Sequence, residues 1–159
     1  MRRPILIVAV AVVAIAAAAV VWAQTPGETP FPSPKVEQLF VSAQTVTAAG
    51  HSLGAGALNN RFARGETVVF QVFGGQNETG QTITDKDVKY AYVAVPGQPN
   101  LKLRYSAAST AFPWTASWTI PATYPTGLVP FKVRFRTLTK QYGNFVQIPV
   151  TSAQLTVTG

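Results

Sequence analysis

The sequence predicts an all-β domain of short antiparallel strands, most simply folded as a two-sheet sandwich. Three observations carry this. From residue 37 onward no stretch longer than ten residues keeps a helical period. Short runs of Val, Phe, Tyr, Trp and Thr alternate apolar and polar residues with a period of two. Turn residues punctuate these runs at Gly74-Gly75, Thr79-Gly80, Pro96-Gly97 and Thr126-Gly127. Seven or eight such strands in about 120 residues suit a sandwich, with a small closed barrel as the alternative.

Two segments precede that domain. Residues 1–23 read MRRPILIVAVAVVAIAAAAVVWA, with Arg2 and Arg3 ahead of a 17-residue apolar run from Ile5 to Val21. Val21 and Ala23 are small residues suitably placed for cleavage after Ala23, as in a signal peptide. The run is long for a signal peptide and short for a spanning helix, so an uncleaved signal anchor over residues 4–23 is the alternative. Either way residues 24–159 are expected to be exported, to a periplasm, a cell surface or the medium. No cysteine follows the run, which removes a bacterial lipoprotein anchor. Residues 24–35 form a linker, in which TPGETPFPSP carries four prolines and reads as a semi-rigid polyproline spacer. Residues 36–159 are then the domain.

Within it the expected strands are 37–43, 66–73, 87–95, 101–105, 114–120, 129–137, 145–150 and 152–158. Trp114, Ala116, Trp118 and Ile120 share one face of their run, and Thr115, Ser117 and Thr119 the other. Period two therefore puts the first set in a core and the second in water. Val129, Phe131, Val133 and Phe135 likewise oppose Lys132, Arg134 and Arg136, and Pro130 sits near the start, where a missing donor is tolerated. Ala153, Leu155 and Val157 oppose Gln154 and Thr156. Pro149 cannot donate to a ladder, so 145–158 reads as two strands or one bent edge strand.

Several stretches carry a resemblance. Arg64-Gly65-Glu66-Thr67-Val68-Val69-Phe70 resembles the start of the second strand of bacterial immunoglobulin-like and fibronectin-like modules. Asp87-Val88-Lys89-Tyr90-Ala91-Tyr92-Val93 resembles their third strand. Trp118-Thr119-Ile120-Pro121, Tyr124-Pro125-Thr126-Gly127 and Phe131-Lys132-Val133 resemble the turn between their late strands. The resemblance implies an immunoglobulin-like antiparallel β-sandwich over most of 37–158, in a class of modules that bind, space or scaffold rather than catalyse. The cysteine pair of antibody domains is missing.

Composition narrows the chemistry. With no cysteine there is no disulfide framework, thiolate metal site or cysteine nucleophile. One histidine, His51, leaves no His cluster for copper or haem, and no cofactor or metal is expected. Without residues 1–23, eleven basic side chains face six acidic ones, a net +5 over 136 residues. That is basic without the dense cationic runs of a nucleic-acid binder, and export makes nucleic acid an unsuitable partner.

One catalytic pattern is present and incomplete. Gly50-His51-Ser52-Leu53-Gly54 matches the G-x-S-x-G nucleophile elbow, and residues 47–56 resemble its lipase version. The elbow needs a histidine base from elsewhere in the chain, and the only histidine lies inside the motif. A Gly/Ala loop between the first two strands is the expected reading, and the chain is not expected to be an enzyme. Glu78, Asp85 and Asp87 fall close together but match no calcium loop, and Asn77-Glu78-Thr79 is a glycosylation sequon.

Two surface features bear on binding. Of 17 aromatic residues, Trp114 and Trp118 point inward by the alternation. Tyr90, Tyr92, Tyr105 and Phe112 are the candidates for a glycan-stacking surface, as in a carbohydrate-binding module. Lys132, Arg134 and Arg136 project from one strand face, and Lys102 and Arg104 from another. If both strands belong to one sheet, these five, with Lys89, share a cationic surface; if not, they face apart. Such a surface would take an acidic envelope protein, an anionic polymer or an anionic membrane.

Overall fold

Alternation in the sequence becomes two facing sheets with one core between them. The computed structural model describes residues 39–146 and 154–159. Residues 1–38, which include the expected targeting segment and Pro-rich linker, and residues 147–153 with Pro149 and Ala153 lie outside the described residues. What is described belongs to one unit, Pro34–Gly159, and is all-β, with no helix among the described residues.

Eleven strands follow in order: β1 (Leu39–Thr47), β2 (Arg61–Ala63), β3 (Thr67–Gln76), β4 (Val88–Ala94), β5 (Leu101–Lys102), β6 (Arg104–Tyr105), β7 (Trp114–Thr119), β8 (Gly127–Leu128), β9 (Lys132–Thr137), β10 (Tyr142–Val146) and β11 (Thr156–Thr158). The first sheet has the order β1-β3-β7-β6 and the second β10-β9-β4-β5, both antiparallel throughout. A third, small sheet runs β2-β11-β8, with β11 parallel to β2.

The inner faces hold the residues that the period-two pattern assigns there. Trp114, Ala116, Trp118 and Ile120 are buried, as are Val129, Phe131, Val133 and Phe135. The two sheets meet through aromatic edges: Trp114 lies 5.3 Å from Phe135, and Phe70 5.0 Å from Phe131, between ring centroids. Trp114 also donates its indole N–H to the Ile83 carbonyl at 2.8 Å, satisfying the polar edge of a buried ring. Along one side the sheets close by direct approach of β10 to β1. A Cβ placed on Gly143 would fall 2.6 Å from Leu39 Cβ and 2.8 Å from Val41 Cγ2, so only glycine fits there.

Several strand limits differ from the sequence expectation. The strand expected at 37–43 runs on to Thr47, because its polar end is satisfied locally: Thr45 Oγ1 donates to the Asn59 carbonyl and Asn59 N–H to the Thr45 carbonyl. The run 129–137 enters the ladder only at Lys132, past Pro130. The strand expected at 145–150 begins earlier, at Tyr142, pairing with β9 around a tight turn in which Lys140 takes a positive φ of 69°. Strands β2 and β8 are additional; at three and two residues they are too short to show a period. The run 101–105 divides at buried Leu103, giving β5 to the second sheet and β6 to the first.

Candidate functional site

The outer face of the second sheet gathers Lys102, Lys132, Arg134 and Arg136. In β9, alternate residues point out, which exposes Lys132 and Arg134 and half-exposes Arg136, while Val133 and Phe135 are buried. The register then fixes their neighbours. Arg136 lies between Tyr142 on β10 and Tyr90 on β4; Arg134 lies between Asn144 and Tyr92; Lys132 lies between Val146 and Ala94. Lys102 on β5 sits opposite Tyr92, so one row across the sheet reads Lys102, Tyr92, Arg134, Asn144.

Tyrosines are interleaved with these charges. The Arg136 guanidinium carbon stands 5.1 Å from the centre of the Tyr142 ring, within cation–π range. Arg136 Nε is shielded from solvent there and has no hydrogen-bond partner among the described residues. The rings of Tyr90 and Tyr92 lie 5.5 Å apart, tilted by 39°. A groove of about 380 Å³ runs over β9 and β10, lined by Tyr90, Lys132, Arg134, Tyr142, Asn144 and Val146 among others.

No carboxylate among the described residues forms an ion pair with these cations. Among the described residues the one ion pair is His51 with Glu66, far from this face in the fold's strand order. The acid nearest in sequence, Asp87, precedes β4 and turns back on Thr84, whose N–H and hydroxyl donate to its carboxylate at 2.8 and 2.7 Å. Those bonds hold the Asp87 carboxyl below its ordinary range, the hydroxyl contributing most.

The five basic residues expected from the sequence therefore divide. Lys102, Lys132, Arg134 and Arg136 share one face, and Lys89 is exposed at a bulge in β4 beside it. Arg104 does not join them: it belongs to β6, opposite Thr115 on the outer face of the first sheet. The physical reason is the change of sheet at Leu103, which turns two residues of like parity to opposite sides. The aromatic candidates divide too. Tyr90 and Tyr92 lie on the cationic face, whereas Tyr105 packs edge-on against Trp114 at 5.2 Å, and Phe112 is half-buried in the loop before β7. Tyr142 and Asn144 belong to the face but were not expected, since the strand was expected to begin only at residue 145; the alternation of Tyr142, Asn144 and Val146 is the signal that would have found them.

Two other sites are structural in their contacts. In the loop after β1, the His51 Nε2 lies 3.4 Å from Glu66 Oε1, and His51 Nδ1 accepts the Leu53 N–H at 3.1 Å. Both ring nitrogens are engaged, leaving neither for Ser52, which is exposed in a turn rather than held between a strand and a helix. Near the C-terminal end of β7, Tyr124 donates its hydroxyl to the Pro96 carbonyl at 2.9 Å and packs edge-on to Trp118 at 4.9 Å. Burial there raises the Tyr124 phenol above its usual range.

No family model, curated protein or solved structure matches this chain in comparison. Function must be argued from the face itself.

Proposed function

We propose that this chain is an exported, non-catalytic immunoglobulin-like module at the cell envelope, whose second-sheet outer face binds an anionic partner. The strand orders support the finer fold reading. β1-β3-β7-β6 and β10-β9-β4-β5 have the connectivity of the A-B-E-D and G-F-C-C′ sheets of immunoglobulin domains. Export rests on the charged start, apolar run and Val-Trp-Ala site of residues 1–23.

One observation carries the binding reading: four cations share one sheet face, and no acid among the described residues stands between them. A solvated surface that served only solubility would mix both signs. Uncompensated cations at strand spacing set up a positive potential that attracts polyanions and fades with added salt. The test uses phosphatidylglycerol vesicles and soluble polyuronate at low and high salt. Replacing Lys132, Arg134 and Arg136 together by Gln is expected to weaken binding at least about tenfold at low salt, since hydrogen bonds to charged groups contribute roughly 1.5–3 kcal/mol each. The melting temperature should stay within a few degrees, because exposed charges add little stability. Binding that ignores both salt and the triple replacement would leave the face without this role.

A further inference from the structure

We infer that the anionic partner is an acidic polysaccharide carrying a carboxylate on every second sugar, laid across the strands of the second sheet with an uncharged ring over Tyr92. This rests on the anionic-partner reading above and gives it a substrate class. The row Lys102, Tyr92, Arg134, Asn144 crosses β5, β4, β9 and β10 at one register level. Lys102 and Arg134 are two strands apart, which sets their backbones roughly 10 Å from each other. That is about the length of a disaccharide. Between them stands a half-exposed tyrosine ring, the kind of flat apolar surface on which the C–H face of a pyranose stacks.

The chemistry of each position fits that order. Arg134 presents a planar fork that can take a carboxylate through two parallel N–H bonds, and Lys102 presents a point charge on a flexible stem. Beyond Arg134 the row continues into the groove over β9 and β10, whose volume of about 380 Å³ suits a further sugar. On the next level Arg136 is held against the Tyr142 ring, so its charge is fixed in position rather than mobile.

A membrane fits the same face less well. On it, the large apolar groups that reach solvent are Val146, 57% exposed at one corner, and Tyr90 at 36%. Among the described residues this face presents a groove over β9 and β10 rather than a large apolar cluster to enter a bilayer. A membrane would be held by charge alone, whereas the tyrosine between two cations would then have no role.

The experiment immobilises the full chain on a sensor and passes over it four probes at low salt. These are hyaluronan, with a carboxylate on alternate sugars; polygalacturonate, with one on every sugar; neutral dextran; and phosphatidylglycerol vesicles. Hyaluronan is expected to bind most tightly per chain length and dextran not at all. Lys102→Gln and Arg134→Gln should each weaken hyaluronan roughly tenfold. Tyr92→Ala should weaken it about fivefold, while Tyr92→Phe, which keeps the ring, should bind as the parent does. Arg104→Gln, on the other sheet, should change nothing, and thermal melts of each variant separate lost binding from lost folding. If hyaluronan and polygalacturonate bind alike and Tyr92→Ala is silent, the spacing inference fails while the anionic-partner reading survives. Binding to vesicles alone has the same consequence. Binding to dextran as well as hyaluronan refutes the role of the carboxylate. Failure of every charged probe to bind overturns both the inference and the reading on which it rests.

Discussion

The two outer faces of this molecule obey the same alternation and differ in how their polar groups are satisfied. On the first sheet, Gln44 donates to Gln71 across β1 and β3 at 2.8 Å, and the hydroxyls of Thr67 and Thr119 lie 2.9 Å apart across β3 and β7. Its other outward residues include further amides and hydroxyls, the Phe40–Phe73 ring pair at 6.4 Å, and Arg104 opposite Thr115. On the second sheet cations and tyrosines share the outer face with Asn144, Val146 and Ala94, and no acid among the described residues pairs with those cations. Period two decides that a side chain meets water, but it does not decide what that side chain finds there. A self-satisfied face is finished as it stands; a face of one sign has interaction energy still to be realised.

The inward and outward assignments on which this contrast stands can be broken most severely at Trp118. It is 4% exposed, beside Ser117 on the exposed face. Trp118→Ala is expected to cost about 3–5 kcal/mol in urea unfolding, and Ser117→Ala under about 0.5 kcal/mol. Equal losses would mean that the faces of β7 are wrongly assigned.

Gly143 gives the next largest effect and separates the two faces directly. An added methyl meets Leu39 and Val41 inside van der Waals contact, so β10 must move away from β1. Gly143→Ala should destabilise by roughly 1–3 kcal/mol, the usual cost of overpacking. Since Tyr142 and Asn144 flank it on the cationic face, anion binding should fall as well, while the Gln44–Gln71 and Thr67–Thr119 pairs of the other face stay in place. Amide exchange across β1, β3 and β7, compared with that in β10, would read the difference. Slowed or unchanged exchange in β10 would contradict the close approach.

The smallest expected effect is at Asp87, the acid closest in sequence to the cationic face. Its carboxyl is held low by Thr84, so its stabilising contribution is present above the ordinary carboxylate range and is lost as the pH falls through its depressed value. Solvent screens so exposed a group, and Asp87→Asn should cost no more than about 0.5 kcal/mol at neutral pH. That difference should vanish in acid, where the parent's carboxyl is protonated. Anion binding at neutral pH should not rise in the variant, because Asp87 is turned to Thr84 and not to the cations. A marked rise would mean that the second face is partly neutralised after all.

Much of the core was legible because it is written in alternation. Trp114, Trp118, Val133 and Phe135 follow from period two alone, and the structure buries all four. What escaped depends on partners rather than on pattern. Three residues of β2 and two of β8 carry no period, and exist as strands because β11 lies between them. Thr45 and Thr47 hide the end of β1, since each places a hydroxyl in an inward position and satisfies it on a loop carbonyl. The site was half legible. The cations of β9 could be placed on one face from the sequence, but the parity of Lys102 and Arg104 is identical, and only the change of sheet at Leu103 sends them apart. Tyr142 and Asn144 fell outside the expected strand 145–150, and Gly143 between them serves the close approach of β10 to β1, which depends on a partner and not on pattern.

The parallel pairing of β11 with β2 sets an order in time. Thr156–Thr158 lies beside Arg61–Ala63, and the Thr158 hydroxyl reaches the Phe62 carbonyl across a separation of 96 residues. Leu155 and Val157 fill the core from that position, next to Phe62. The hydrophobic interior therefore stays open until residues 155–158 have been synthesised, and closing so long a loop belongs to the slow, millisecond-to-second class of folding events.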